Sequence, residues 1–415
     1  MSRERLLSYA PIAAILTFAL SLRVWRLNTP AGYIFDELYY AKNAASIITS
    51  FVELDENGES EFVVHPPLGK WLIGFGIKVF GNNEFGWRIC AAIFGTVSVL
   101  LLYLIVQKLF NSHFLSLIAA LLISFDGLNL VMSRVALLDI FLMVFILLSF
   151  YFFISDNYPA SGVAIGLALA TKWSAAFIIA LLIVFVIVEQ RDNVRKIIKP
   201  FLSFTLLPAT VYLLSWSGWI FTSTGWARQS GSNIFSSFWN NHMQILTFHK
   251  DLTQSHSYQA NPWSWLILGR PTSLFYEDNA ECGQTKCAQE ILAIGTPLLW
   301  WSAIFAVAIT VGFFITKKDR NAALILLGFC GTYIPWFALQ DRPLFYFYSI
   351  SILPFLIMAI IYCFNLIIYQ KHSKQYIWIY TVLIGMNFLY FLPIFLGISI
   401  PYSEWLERMW LNSWI

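Results

Sequence analysis

Long apolar runs recur along this chain, and they constrain it more than any other feature. A helix needs about 20 mostly apolar residues to cross the hydrocarbon core of a bilayer. Such spans read near Tyr9–Leu27, Phe85–Leu109, Phe114–Leu130, Val135–Ile154, Ala160–Lys172, Trp173–Val188, Ile198–Phe221, Ile294–Ile315, Ala322–Leu339, Phe345–Tyr369 and Ile377–Leu396. Gly162–Val188 also reads as one long helix, although two short spans fit the charge pattern better. Of 415 residues, 58% are hydrophobic and only 12% charged. Soluble domains carry about 25% charged residues. The composition therefore excludes a set of soluble domains, a disordered or collagen-like chain and a nucleic-acid-binding protein. The expectation is an all-α polytopic membrane protein of about eleven transmembrane helices, built as a single domain over residues 1–415.

Orientation follows from where Lys and Arg fall. If eleven spans alternate, Arg3, Arg5, Lys108, Arg191, Arg195, Lys196, Lys199, Lys317, Lys318, Arg320, Lys371 and Lys374 share one side, read as the cytoplasm. The N-terminus lies there and the C-terminus outside. Residues Met1–Leu27 are basic then apolar, as in a signal peptide, but no small-residue cleavage site follows, so the run reads as a retained first span. The external side receives two long polar loops, residues 28–84 and 222–293, and loops of that length are usually functional. In the first, Leu68, Trp71, Leu72, Phe75 and Val79 give Pro67–Phe80 an apolar face at helical spacing, which predicts a helix lying in the interface. No internal repeat is apparent, which weighs against a transporter built from inverted halves. Cys90, Cys330 and Cys363 fall in predicted spans and read as inert small apolar residues. Cys282 and Cys287 fall in the second external loop, on an oxidising side, which predicts a disulfide between them.

Several polar groups could carry chemistry. Asp36 and Glu37 are adjacent just past the outer end of the first span, where a carboxylate pair among aromatic residues is costly unless it is used or paired. Burial raises a carboxyl pKa toward the range useful to a general base. The same pair also reads as a solvated helix N-terminus, where acids suit the dipole. His65-Pro-Pro-Leu-Gly-Lys70 reads either as a site element or as a structured turn with a snorkelling lysine. Arg88, Asp126, Arg134, Asp139 and Lys172 fall at outer ends of spans, so with the acidic pair they are expected at one membrane depth. Together they predict an outward-facing polar cavity whose cations suit a phosphate. The second loop holds His256, Tyr258, Gln259, Asn261 and Trp263, an aromatic and amide-rich run suited to a sugar face or an extended peptide. It also reads as an interfacial belt of Trp and Tyr. Asp341-Arg-Pro-Leu-Phe-Tyr-Phe-Tyr348 adds Arg342 to this face. No metal-ligand box, phosphate-cradling glycine loop or dinucleotide fingerprint occurs.

Phe35-Asp-Glu-Leu-Tyr-Tyr-Ala-Lys42, His65-Pro-Pro-Leu-Gly-Lys70, Gly86-Trp-Arg88, Ser133-Arg-Val-Ala-Leu-Leu-Asp-Ile-Phe-Leu142, Ala170-Thr-Lys-Trp173, His256-Ser-Tyr-Gln-Ala-Asn-Pro-Trp-Ser-Trp265 and Arg408-Met-Trp-Leu-Asn-Ser-Trp-Ile415 form an ordered set. With them the chain resembles the protein O-mannosyltransferase family, which belongs to the C-type glycosyltransferases, and within it the shorter bacterial (actinobacterial-type) members. The resemblance runs nearly end to end. The chain lacks the soluble sugar-binding insert that eukaryotic members carry in the second loop.

The resemblance implies an eleven-span fold and mannose transfer from polyprenyl (dolichyl-type) phosphate mannose to Ser or Thr hydroxyls of secreted proteins. It puts the acidic pair of the family on Asp36 and Glu37 and its essential arginine on Arg88. Asp36 is expected to be the base that takes the acceptor proton, and Glu37 to orient it or pair with a cation. The anomeric centre should invert. The leaving group is already an anion, so cations rather than a general acid should serve it: Arg88 first, then Lys172, Arg134 and Arg342. An extended peptide, met during or after Sec export, is expected near His65, His256, Tyr258, Gln259, Asn261 and Trp263. Asp126, Asp139 and Lys70 are expected to be structural. No cofactor is required, and a divalent metal at the acidic pair is not favoured because spare carboxylates are few. The expected location is the plasma membrane, with the site outside. Two other readings remain open: a C-type transferase moving another sugar to a lipid or polysaccharide, and a lipid or solute transporter.

Overall fold

Polar caps divide the apolar runs into helices. The computed structural model describes residues 3–278 and 280–415, with side chains from Tyr9 onward. Met1, Ser2, Asn279 and the side chains of Arg3 and Arg5 lie outside the described residues. Helix α1 spans Arg3–Val24, α2 Glu37–Ser50, α3 Leu68–Phe80, α4 Glu84–Phe110, α5 His113–Ser124, α6 Gly127–Met132 and α7 Asp139–Phe153. After these come α8 (Tyr158–Leu169), α9 (Ala175–Glu189), α10 (Val194–Ser215), α11 (Ser217–Phe221), α12 (Ile234–Asp251) and α13 (Pro262–Trp265). The C-terminal part adds α14 (Pro297–Lys317), α15 (Arg320–Tyr333), α16 (Leu353–Ile367), α17 (Ser373–Leu396) and α18 (Tyr402–Glu407). Among the described residues, five helical segments are long and apolar enough to cross a bilayer and six more apolar helices are shorter.

Side-chain oxygens start many of these helices by accepting otherwise orphaned backbone N–H groups. Asn83 Oδ1 accepts from the Gly86 N–H at 2.9 Å, Asp319 Oδ1 from Ala322 at 2.8 Å, and Asn233 forms a capping box with Ser236 at the head of α12.

Four expectations change: the third, fourth and tenth spans and the all-α class. The third span breaks: Asp126 caps α6 by accepting from the Asn129 N–H at 2.9 Å, so Phe114–Leu130 is two helices. The fourth span starts only at Asp139, and Phe345–Tyr369 opens with a short 3-10 helix, Tyr346–Ser351. The two short spans expected in place of one long Gly162–Val188 helix are present, with residues 170–174 between α8 and α9. The chain is not all-α. The strands Thr272–Glu277 (β1), Cys287–Ala293 (β2) and Ile400–Pro401 (β3) form an antiparallel sheet in the order β1-β2-β3. Cys282 and Cys287 are joined in a disulfide within the β1–β2 connection.

Helix α3 packs against α2 and α4 through a face of small residues. A Cβ on Gly76 would meet the Gly86 carbonyl oxygen at 2.3 Å, so only glycine allows that approach. Its large apolar residues Phe75 and Val79 point away from the protein and are more than half exposed, as an interfacial helix requires.

Candidate active site

Residues 28–36 lead from α1 to α2, and Asp36 stands at the head of α2 with Glu37 in its first turn. The two carboxylates have different surroundings. Glu37 is fully buried. Its Oε1 accepts from Arg88 Nε at 2.8 Å and from the Ala136 N–H at 2.9 Å. Its Oε2 accepts from Arg88 Nη2 at 2.7 Å and from the Ile34 N–H at 3.0 Å. Asp36 accepts no side-chain hydrogen bond among the described residues and faces a cavity. Burial, with Asp139 nearby, pushes its carboxyl up to about 6, while the neighbouring Lys172 ammonium pulls it down.

Arg88 does not occupy the position expected of a phosphate ligand. Its guanidinium is fully buried and bridges both oxygens of Glu37. It also donates to the carbonyls of Leu27 (3.2 Å), Pro30 (3.0 Å) and Gly32 (3.1 Å). All five N–H donors are thereby used. Arg134 is equally occupied. It donates to the carbonyls of Leu22 (3.1 Å), Arg23 (2.8 Å), Trp25 (2.7 Å) and Arg26 (3.2 Å), closing the C-terminal end of α1. Asp126 is fully buried and accepts from the Thr296 N–H at 3.2 Å and Trp300 Nε1 at 2.8 Å, tying α6 to α14. The single polar cavity expected around seven charged residues is therefore not formed. The groups separate because unpaired backbone beside the helix breaks takes up Arg88, Arg134 and Asp126.

Asp36, Asp139 and Lys172 do come together. Lys172, in the break between α8 and α9, donates to both oxygens of Asp139 at 2.9 Å and lies 4.4 Å above the centre of the Tyr348 ring. Two cavities adjoin here. One, of about 430 Å³, is mainly apolar and is lined by Lys172, Trp173, Phe177, Leu246, Trp336 and Leu339. The other, of about 450 Å³, contains Asp36, Tyr39, Tyr40, Asn43, Glu61 and Lys70. His65, His249, Arg342 and Tyr348 line both.

Arg342 Nη1 lies 2.9 Å from His249 Nδ1, and its buried Nε has no hydrogen-bond partner among the described residues. His249 Nε2 lies 2.9 Å from the Val64 carbonyl, so that nitrogen carries the proton and Nδ1 accepts from Arg342. Burial and the Arg342 charge draw His249 down to about 4. Burial, with the Lys172 charge and His249 beside it, also holds His65 well below the usual imidazole range. Both rings are neutral at pH 7. Trp173 Nε1 donates to the Tyr212 hydroxyl at 2.9 Å, and that hydroxyl lies 2.8 Å from His242 Nε2.

Lys70 is not a snorkelling lysine, since it is buried, pairs with Glu53 and donates to the His65 carbonyl at 3.3 Å. The second-loop group is not brought into either cavity. His256, Gln259, Asn261 and Trp263 are exposed and Tyr258 half-buried, because the Ala260 N–H donates to the Leu344 carbonyl at 2.7 Å and holds this run along the outer side of residues 341–345. His256 approaches the site, packing on Phe345 (5.0 Å between ring centres) and Phe35 (6.3 Å), and the Gln259 backbone bridges to Phe345. His249 was not anticipated. The available signal was the spacing of His242 and His249, two turns apart on one face of α12.

Known proteins are similar to this chain in sequence and in fold. Residues 64–219 match the family model described as dolichyl-phosphate-mannose-protein mannosyltransferase, and residues 234–414 match the C-terminal four-transmembrane region of protein O-mannosyltransferase. The polyprenol-phosphate-mannose–protein mannosyltransferase of Corynebacterium glutamicum is 30% identical over 97% of this chain and 92% of its own length. The protein of that description from Mycobacterium tuberculosis is 29% identical over 97% and 90%. A chain of the S. cerevisiae protein O-mannosyltransferase complex bound to the sugar donor superposes with a TM-score of 0.82 at 14% identity, covering 98% of this chain and 92% of that one. ArnT from Cupriavidus metallidurans bound to undecaprenyl phosphate superposes at 0.60 with 14% identity, covering 97% and 72%. At such identities the likeness establishes a shared fold, that of C-type glycosyltransferases.

Proposed function

This chain belongs to the protein O-mannosyltransferase family and is a polyprenol-phosphate-mannose–protein mannosyltransferase, and from that premise we propose how its residues divide the work. The observation that carries the proposal is the meeting of the two cavities at Arg342, with Asp36 on one side and Lys172 on the other. The apolar cavity takes the lipid end of the donor and the polar cavity takes the acceptor hydroxyl. Asp36 removes the hydroxyl proton as the Ser or Thr oxygen attacks the anomeric carbon. The bond from that carbon to the phosphate oxygen breaks, polyprenyl phosphate leaves as an anion, and the centre inverts. Arg342 and Lys172 stabilise the charge that develops on the phosphate.

Arg88 and Arg134 are scaffold in this proposal. Glu37 holds the loop that presents Asp36, through Arg88 and through the Ala136 N–H of the segment before α7. Asp139 holds Lys172. The acceptor is bound by the walls of the Asp36 cavity, with His256 at its edge.

The donor set argues for transfer without a resident metal. Glu37 has no oxygen to spare, Asp139 is engaged by Lys172, and among the described residues no three His, Cys, Asp or Glu side chains converge. The test of the whole assignment is Asp36→Asn in purified protein, with labelled lipid-phosphate mannose and a Ser/Thr peptide. The expected kcat falls by on the order of 1,000-fold with donor binding retained. Turnover near wild type would remove Asp36 as base.

The eleven apolar helices are proposed as eleven crossings, with the N-terminus in the cytoplasm and the cavities on the outer face of the plasma membrane, where acceptors emerge during or after export. The basic residues Lys108, Lys199, Lys317, Lys318 and Lys371 at the opposite helix ends support this orientation. In intact cells an impermeant reagent should label a cysteine placed at Asn57 and spare one placed at Lys318, and the reverse pattern would invert the topology.

A further inference from the structure

His249 sits where three separate parts of the chain meet, yet it belongs to none of the segments that mark the site in the sequence. It projects from α12 in the second long loop. One ring nitrogen reaches Val64 in the first long loop at 2.9 Å, and the other reaches Arg342, before the Tyr346–Ser351 turn, at 2.9 Å. Arg342 has no carboxylate partner among the described residues, so nothing else charged fixes its guanidinium. Its Nε is buried without a partner. A buried arginine donor left unmade is costly unless a ligand completes it.

The ring chemistry suits the task. A carboxylate in place of His249 would neutralise Arg342 and compete with a phosphate for it. A neutral imidazole accepts one N–H and leaves the positive charge intact. The Val64 carbonyl holds the proton on Nε2 and so keeps the lone pair on Nδ1 turned to Arg342, in the way that an outer partner fixes the tautomer of a histidine. Burial and the Arg342 charge disfavour protonation of that nitrogen.

We propose that His249 is a positioning residue for the transfer reaction: it aims the Arg342 guanidinium at the junction of the two cavities, where the donor phosphate binds, and leaves that cation's charge undiminished. The inference rests on the reading of Arg342 as a phosphate-binding group. It separates the two jobs of the imidazole, accepting from Arg342 and donating to Val64.

Two near-isosteric variants separate them experimentally. In His249→Asn the amide oxygen stands near the former Nδ1 and accepts from Arg342, while the bond to Val64 is lost. In His249→Gln the amide nitrogen reaches toward Val64, while the acceptor for Arg342 is lost. Donor and peptide KM and kcat are measured for both, for His249→Ala, for Arg342→Ala and for the double variant. His249→Ala and His249→Gln should raise donor KM on the order of 10-fold or more, with peptide KM within about twofold. His249→Asn should recover most of the donor affinity. The double variant should be no worse than Arg342→Ala, because the two residues act as one unit. Rescue by Gln and not by Asn would make His249 a loop clamp and overturn the proposal. So would an unchanged donor KM in His249→Ala beside a raised one in Arg342→Ala. An unchanged donor KM in Arg342→Ala would instead reject the phosphate reading beneath it.

Discussion

The most informative perturbation is at Arg88, where the sequence points to the donor phosphate and the geometry points to the scaffold. Arg88 makes five hydrogen bonds, two to Glu37 and three to the carbonyls that close the turn after α1. The pair is almost wholly removed from solvent, at 1% and 0% side-chain exposure. Replacing the arginine alone strands a buried carboxylate, and breaking a buried pair in this way costs about 3–5 kcal/mol. Arg88→Met should therefore lower Tm by roughly 5 °C in a chain of this size, read by thermal unfolding of the detergent-solubilised protein. The double variant Glu37→Gln/Arg88→Met removes both charges and should recover at least half of that loss, since the penalty is the unpaired ion rather than the missing contact. At a temperature where Arg88→Met remains folded, its donor KM should stay within about threefold of wild type, a change of under 1 kcal/mol. The opposite result would refute the reasoning. If Arg88→Met kept its Tm, raised donor KM about tenfold or more and was not helped by Glu37→Gln, then Arg88 would be meeting the phosphate directly, as an arginine-to-phosphate contact requires.

The rate should also report the state of Asp36. Because its carboxyl is held up at about 6 and must be ionised to accept a proton, kcat/KM should fall about tenfold per pH unit below 6 and level off above it. The sign for stability is opposite: a raised carboxyl pKa means that the ionised form costs stability as the pH climbs from 3.8 toward 6. Lys172→Met removes the cation that lowers Asp36 and leaves Asp139, which raises it, so the acid limb should move above 6, and an unmoved limb would dissociate the two residues. Activity should survive prolonged treatment with excess chelator, and a loss restored by a divalent cation would require ligands outside the arrangement described above.

Much of the helical framework was legible in the sequence, because a bilayer imposes a one-dimensional rule on each segment. The acidic pair at the head of α2 and the lysine between α8 and α9 were legible as well, since charges are rare in such a chain. Their partners were not. Arg88 finds Glu37 across 51 residues, and nothing in either local sequence reveals that every donor and acceptor of the two is already used. The sheet escaped notice for a related reason: β3 is two residues long and pairs with a strand more than 100 residues earlier. His249 escaped because a histidine on an amphipathic helix usually has no special role, and its function comes from Val64 and Arg342, which lie on other segments. In each case the missing information is a long-range pairing.

The ranking of cations inverts for one physical reason. Irregular backbone is tolerated among membrane helices only where its N–H and C=O groups are satisfied by protein or by a cavity. This chain breaks its helices at residues 25–36, 125–126, 133–138, 170–174 and 340–345. Such breaks expose carbonyls and amides that need partners, and at the first of them and at the break around Asp126 charged side chains supply them. Arg134 takes four carbonyls at the end of α1, Arg88 takes three just beyond it, and Asp126 takes the amides at the heads of α6 and α14. Arg88, Arg134 and Asp126 are thus already used by the backbone. Lys172 and Arg342 differ: one is held by a carboxylate and one by a neutral imidazole, and neither donates from its side chain to a carbonyl. A cation that must engage a phosphate with each turnover is better held by a side chain than by the fixed backbone, because the side chain leaves other donors free and can adjust without unfolding the break it closes.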